Sequence, residues 1–465
     1  MAQYPFMALF AFLVPRMLGP EIYGRYALFV SVVGLTASFL DLGITEISAR
    51  RIPELQAEGS HEGIITYYSR MLGFKLTLDV AVVALAAMVL FFLRPLSVPR
   101  QMLVPLLIVI VISDVSAAAY GLMFGLNNVS LCSARDPLRR AISLVTVIVG
   151  YSWFGLLGAL YSAVIVETLL AGLYVGFTRR WLSARWLAPQ WRYVAPLLRY
   201  GALFYLSWGI TNVWQRLGNS LIGLLQGDFR QIALFDLSNQ IFLTAIGFTS
   251  FLITALAPVF TRLRLDGKDG KVVDWSRRIV TYNLMLCAAG AAAWLLLGDT
   301  LVPWLIGPQY RGIYGSVALL LCGAFPMAIV QLGLALAMAY AQPIRYLTSL
   351  CIAVVTFIVA SLPLIPRFGA LGCAAATLIS CICCAVAVGI QYPRFVAHSL
   401  GPGLRAIIVA GVLLLPCWIY RGGGLRSCLL LVAFLIIYSS VLLLTRVIDR
   451  EELRQAWAAL RHRAD

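Results

Sequence analysis

The most regular feature of the sequence is a succession of long apolar blocks separated by short polar segments. An α-helix needs about 20 mostly apolar residues to cross the hydrocarbon core of a bilayer, and most of the blocks reach that length. The blocks predict fourteen transmembrane helices, at about 3–18, 22–45, 71–93, 102–126, 138–153, 155–177, 200–225, 231–260, 279–298, 313–340, 344–364, 369–391, 404–420 and 427–445. The sequence therefore predicts an all-α polytopic membrane protein.

The first block is short, because only 15 residues precede Arg16, whereas about 17 are the usual minimum for a span. No basic region or clear cleavage site marks a signal peptide there. Either this helix tilts little or the natural chain begins upstream of Met1, and we expect the second.

Composition supports this fold class and excludes several functions. Of the 465 residues, 61% are hydrophobic and 12% are charged, whereas soluble domains are about 45–50% apolar and about 25% charged. Since the connecting segments are short, they leave no space for a catalytic domain outside the membrane, and we expect neither an enzyme nor a cofactor. The ten cysteines form no framework, and the cluster at 381–384 has no His or carboxylate at ligand spacing, so we expect no metal site.

The net charge of +16 follows from membrane topology rather than from a nucleic-acid partner. If both termini lie in the cytoplasm, the cytoplasmic segments hold 25 Arg and Lys residues and the outer segments hold nine. Cytoplasmic loops of membrane proteins carry such an excess of basic residues. We therefore predict both ends inside.

An internal repeat divides the predicted spans. The pattern FGxLG occurs at 154–158 and at 368–372, and the tripeptide ALF occurs at 27–29 and at 233–235. These copies are six spans apart, which predicts two six-helix lobes of the same orientation, related by a pseudo-two-fold axis, plus two extra C-terminal helices. The predicted parts are a first lobe at 1–178, an amphipathic linker at 179–199, a second lobe at 200–393, and the last two helices with the tail at 394–465.

Polar residues inside spans seven and eight are candidates for a substrate cavity. An ionisable residue at membrane depth costs at least about 2.5–3.5 kcal/mol and therefore needs a partner or a function. The candidate cavity residues are Asn212, Arg216, Asn219, Asp236, Asn239 and Gln240. Arg216 could hold a diphosphate through paired hydrogen bonds. Alternatively, Arg216 pairs with a buried acid and joins helices, and Asp236 lies at the membrane interface.

The first lobe carries further intramembrane charges. Asp114 and Glu167 lie near the middle of their spans and are the candidates for coupling transport to a proton or sodium gradient. Lys75 and Asp79 are four residues apart on one helix face and are predicted to neutralise each other. Asp41 lies near the end of span two, where we expect a structural role.

The polar segment between spans one and two carries a family resemblance. Residues 16–26 read RMLGPEIYGRY, in which Gly19 permits a bend and Pro20 suits the first position of a helix. The string resembles the N-terminal motif of the bacterial polysaccharide flippases, which are the O-antigen and capsule exporters of the multidrug/oligosaccharidyl-lipid/polysaccharide (MOP) superfamily. The sequences at 41–43, 306–310 and 368–372 are also similar to that family.

The resemblance implies a function. Such proteins move undecaprenyl-diphosphate-linked oligosaccharides from the inner to the outer leaflet of the bacterial cytoplasmic membrane, by alternating access around a central cationic cavity. The implied partners are the lipid-linked substrate, H⁺ or Na⁺, membrane lipids, and the polymerase and glycosyltransferases of the same pathway. The alternative is an ion-coupled multidrug extruder of the same superfamily, although such extruders usually have twelve spans.

Overall fold

The helices of this computed structural model follow the apolar blocks of the sequence. The structure describes residues 3–40, 43–93, 100–188, 190–340, 342–420, 422 and 424–444, so that Asp41 lies outside the described residues. The described helices are α1 (Gln3–Leu40), α2 (Ile44–Ala57), α3 (His61–Leu93), α4 (Arg100–Gly125), α5 (Val129–Thr178), α6 (Trp191–Leu225), α7 (Phe229–Leu265), α8 (Asp269–Leu305), α9 (Ile313–Ala339), α10 (Pro343–Phe368), α11 (Ala370–Gln391), α12 (Pro393–Ile419) and α13 (Leu425–Leu444). Single 3₁₀ turns lie at Arg179–Trp181, Ala184–Trp186 and Pro308–Tyr310.

Two of these long helices are bent. The backbone leaves helical geometry inside α1 at Gly19 and inside α5 at Gly155. At 1.5 Å per residue, the 50 residues of α5 are far longer than the core of about 30 Å that one span crosses. Nine of the described helices, α1 and α5 among them, are long and apolar enough to cross a membrane. The predicted all-α polytopic fold is confirmed.

Glycine makes the bends possible where the sequence motifs predicted turns. Gly19, within the LGPE string, has φ 74°. Gly155 and Gly369 occupy the same position in the two copies of FGxLG, and they have φ 59° and 56°. Residues with a Cβ rarely adopt these positive φ values. The repeat found in the sequence is therefore also a repeat of backbone conformation.

The chain divides into two compact units. Unit 1 is Met1–Asp236 with Ile365–Ala370, and unit 2 is Leu237–Leu364 with Leu371–Asp465. The division falls inside α7, so that α6 and the first two turns of α7 pack with the N-terminal helices. The predicted lobe boundaries rest on the sequence repeat, whereas these units rest on contacts between residues, so the predicted boundaries stay a prediction.

Unit 1 has a core in which tyrosines join helices. The hydroxyl of Tyr67 lies 3.0 Å from that of Ser48, and the hydroxyl of Tyr68 lies 3.1 Å from that of Thr178. The Tyr174 hydroxyl donates to a backbone carbonyl at 2.9 Å. All three tyrosines are at least 96% buried. Their rings contribute apolar packing, and the bonds satisfy their polar ends.

Unit 2 packs its helices through small side chains. Ala288 and Ala292 on α8, and Ala406 and Ala410 on α12, are buried in one cluster with aromatic residues of α13. Small residues let helix backbones approach closely, which favours helix association in a membrane. The last two helices are therefore held to α8 by direct packing.

The bend of α5 generates a stability prediction. A Cβ on Gly158 would overlap the backbone of Gly150, whereas a Cβ on Gly172 of the same helix would meet no described atom within 4 Å. We expect Gly158→Ala to destabilise the protein by about 1–3 kcal/mol through overpacking. Gly172→Ala should be neutral or stabilise it by up to about 1 kcal/mol. Thermal unfolding in detergent measures both, and equal melting temperatures for the two variants would contradict this account of the bend.

Candidate functional site

The carboxylate of Asp236 is the centre of a buried hydrogen-bond network in unit 1. Tyr23 on α1 donates from its hydroxyl to Oδ2 at 2.7 Å, and Asn219 on α6 donates from Nδ2 to Oδ1 at 2.7 Å. The same Asn219 amide lies 2.7 Å from the hydroxyl of Ser31, to which it donates. Hydrogen bonds to an ionised acceptor are stronger than neutral ones. The network therefore joins α1, α6 and the start of α7.

Arg216 lies one turn before Asn219 on α6, against α1. Its guanidinium occupies the space that a Cβ on Gly34 would fill. The charges of Asp236, Arg139 and Arg140 act on it. The absence of a side chain at Gly34 therefore decides where this guanidinium can lie.

Two further arginines come from α5. Arg139 forms an ion pair with Glu167 on the second half of the same helix, across the bend at Gly155. The Glu167 side chain is 3% exposed, whereas that of Arg139 is 45% exposed. Arg140 is exposed and acts electrostatically on Tyr23 and Tyr26. We call Arg139, Arg140 and Arg216 the arginine cluster.

The arginine cluster has an excess of positive charge when the neighbouring arginine of α5 is counted with it. Its neighbours include the cation Arg135, whose guanidinium lies 4.4 Å from the centre of the Tyr120 ring. Three carboxylates interact with these four arginines, namely Asp136, Glu167 and Asp236. A partly exposed group of guanidiniums with positive charge in excess can bind a polyanion such as a diphosphate through paired hydrogen bonds.

A second group of charges lies between α3 and α4. Lys75 Nζ is 3.3 Å from Asp114 Oδ1, and both side chains are buried. Asp79 is also fully buried, and neither of its oxygens has a hydrogen-bond donor among the described residues. Lys75 also acts electrostatically on Asp79, so the neutralisation of these two residues of α3 stays a prediction. The structure adds an ion pair of Lys75 with Asp114 on the neighbouring helix.

The structure distributes the predicted cavity residues over both units. Asn212, Arg216 and Asn219 share a face of α6 in unit 1, as their spacing predicted. Asn239 and Gln240 come after Asp236, where the first segment of unit 1 ends, and belong to unit 2. Their roles stay a prediction.

Sequence reasoning missed four members of this site. Ser31 looks like an ordinary helix-packing residue, so the sequence carries no signal for it. Tyr23 belongs to the string at 16–26, but that string does not show which residue its hydroxyl contacts. Arg139 and Arg140 were counted as topological charges, because the apolar block begins beside them. The helix itself begins at Val129, and the spacing of four between Arg135 and Arg139 was a signal that they share a helix face.

Similarity to known proteins identifies the family of the chain. A family model described as "Polysaccharide biosynthesis protein" matches residues 1–264. The chain belongs to this polysaccharide biosynthesis protein family. The resemblance seen in the LGPE string is thereby confirmed, and the matched residues include the whole arginine cluster. No curated protein shows significant similarity to the chain.

The fold of the chain is similar to those of several solved transporter structures. A lipid II flippase, MurJ, in an inward closed conformation has a TM-score of 0.71 at 12% identity, over 96% of this chain and 99% of that one. An inward-facing multidrug resistance MATE transporter of the MOP superfamily has a TM-score of 0.67 at 14% identity, over 86% and 96%. An outward-facing MATE transporter has a TM-score of 0.57 at 17% identity, over 86% and 94%. The polysaccharide biosynthesis protein thus has the fold of the MOP superfamily.

The network at Asp236 generates a second stability prediction. Asp236→Ala would remove one acceptor from the buried Tyr23 hydroxyl and one from the Asn219 amide, and we expect a loss of about 1–3 kcal/mol of stability. The control is Asp266→Ala, because Asp266 forms an exposed ion pair with Lys268. Exposed pairs contribute about 0–1 kcal/mol. Thermal unfolding in detergent should separate the two variants, and equal losses would show that the network does not stabilise the fold.

Proposed function

We propose that the protein is a flippase for undecaprenyl-diphosphate-linked oligosaccharide repeat units. It would move them from the inner to the outer leaflet of the bacterial cytoplasmic membrane by alternating access, for the synthesis of a surface polysaccharide such as O-antigen. Both termini then lie in the cytoplasm, and the cargo comes from glycosyltransferases and goes to a polymerase. The observation that carries this proposal is the arginine cluster in a chain of the polysaccharide biosynthesis family.

The chemistry of the cargo matches the polar groups of unit 1. A diphosphate carries at least two negative charges, and the planar guanidiniums of Arg139, Arg140 and Arg216 suit bidentate bonds to its oxygens. Asn212 and Asn219 on the same face of α6 can exchange hydrogen bonds with sugar hydroxyls. Asn239 and Gln240 of α7 are proposed for the same task. The polyprenyl tail needs only the surrounding lipid.

The second candidate function is multidrug extrusion. Its support is the likeness of the fold to MATE transporters. The charge of the site opposes it, because positive guanidiniums in excess repel a cationic drug. Anionic drugs would be compatible with the same charge.

A deletion strain distinguishes the two functions. For the flippase we expect loss of surface polysaccharide together with accumulation of lipid-linked oligosaccharide in the membrane, because synthesis continues while translocation has stopped. If the deletion strain has normal surface polysaccharide and has become sensitive to drugs, the flippase proposal is wrong and the protein is a drug extruder. Lost polysaccharide without any accumulated lipid-linked intermediate would also contradict it.

The role of Arg216 can be tested by complementing the deletion strain. Arg216→Ala should lower export at least about tenfold, which corresponds to the loss of about 1.4 kcal/mol of binding. Gly34→Ala keeps the charge but displaces the guanidinium, so export should also fall. Arg311→Ala, at an exposed arginine outside the cluster, is the control and should complement fully. If Arg216→Ala complements as well as Arg311→Ala, at matched expression, Arg216 does not bind the cargo.

A further inference from the structure

The group formed by Lys75, Asp79 and Asp114 is not explained by cargo binding. Asp79 lies in the middle of α3, and Asp114 lies in the middle of α4. The three residues are 1%, 0% and 2% exposed. A carboxylate at such a depth destabilises the protein unless a partner neutralises its charge. The three side chains, which we call the buried triad, therefore need a charge balance of their own.

The triad has one positive group for two acids. Lys75 lies 3.3 Å from Asp114, which balances one carboxylate. Of the charged groups on the described residues, Lys75 and Asp114 are the ones that act on Asp79, while Asp41 lies outside those residues. When all three groups are ionised, the triad has one negative charge in excess, and a buried uncompensated charge costs several kcal/mol.

The geometry of the two carboxyls indicates how that charge is removed. The side chain of Asp79 lies within hydrogen-bonding range of Asp114. Neither oxygen of Asp79 has a donor among the described residues, and Asp114 Oδ2 has none there either. Two carboxylates are both acceptors, so a hydrogen bond between them requires a proton on one of them. Like charges this close favour sharing one proton.

We propose that the buried triad is a proton-binding site at which Asp79 and Asp114 share one proton. Binding transfers one proton from water to a carboxylate oxygen and makes the triad neutral. A sodium ion would need oxygen ligands beside Asp114, where the ammonium of Lys75 already lies and repels a second cation. The site is therefore specific for the proton.

Because the bound proton changes the charge of the buried triad, it can favour one conformation of the protein over another. The neutral triad is compatible with the dry contact between α3 and α4, whereas the charged triad favours a state in which water reaches the carboxyls. In a transporter, this dependence couples a proton gradient to the interchange of conformations, and this coupling role rests on the proposed function. The coupling site then moves from Glu167, which is paired with Arg139, to Asp79 with Asp114.

Infrared difference spectroscopy on the purified full chain tests the proton itself. The C=O stretch of a protonated carboxyl is separate from the carboxylate bands, and we expect it in the wild type at neutral pH. Asp79→Asn and Asp114→Asn should each lose it, because the remaining carboxylate is then balanced by Lys75. Glu167→Gln is the matched control and should keep the band, since Glu167 lies outside the triad and forms its ion pair with Arg139. Circular dichroism and gel filtration check that each variant folds.

Three results would overturn the proposal. One is a wild type without a protonated carboxyl at any pH between about 5 and 9, a range in which ordinary carboxyls are ionised. Another is a band that persists in both Asn variants. The third is a band that NaCl removes but KCl does not, which would indicate a sodium site. The wild-type spectra test the proposal even if a variant fails to fold. None of these measurements needs the cargo, so their outcome does not depend on whether the cargo assignment is right.

Hydrogen exchange of α3 and α4 tests the conformational effect. In the wild type, exchange should be slower at acid pH than at alkaline pH, after correction for the intrinsic rate, because the neutral triad stays dry. Asp79→Asn should lose this pH dependence and stay slow at both. A pH dependence that survives in Asp79→Asn would show that the triad does not control the contact.

Discussion

The cost of placing charge in an apolar interior organises this protein. An ionisable side chain at membrane depth is destabilising by several kcal/mol unless it has a partner or water. Asp236 receives donors from Tyr23 and Asn219, and Glu167 is paired with Arg139. Each of these contacts joins two different helices or the two halves of the bent α5. The requirement to neutralise charge therefore also fixes which helices pack together.

Glycine determines how closely these charged groups can approach their neighbours. At Gly34 the missing side chain makes space for the Arg216 guanidinium, and at Gly150 and Gly158 two backbones meet across the bend of α5. That bend returns the second half of α5 toward the first, which is why Glu167 can reach Arg139. Because such contacts depend on single missing methyl groups, the charged site and the helix packing cannot change independently.

Features that depend on local physics could be predicted from the sequence. Apolar length indicated the crossing segments, the LGPE string located a bend at Gly19, and helical spacing put Arg216 and Asn219 on one face. Prediction was incomplete where the answer depends on a neighbouring helix. Lys75 and Asp79 satisfy the spacing rule for an intrahelical pair, yet packing places Asp114 3.3 Å from Lys75. Pairing between helices depends on their relative rotation, which hydropathy in one chain does not specify.

The fold leaves the cargo open, because a lipid II flippase and multidrug transporters share it with this chain. Selectivity for a cargo must therefore come from the charge of the site. A diphosphate gains energy from every guanidinium that it approaches, whereas a cation is repelled by the same groups. The three carboxylates that act on the arginine cluster and Arg135 balance only part of the positive charge of these four arginines. An anionic cargo would complete that balance during transport. On this reasoning, the incomplete neutralisation of the arginine cluster is the basis of cargo selection in the proposed flippase.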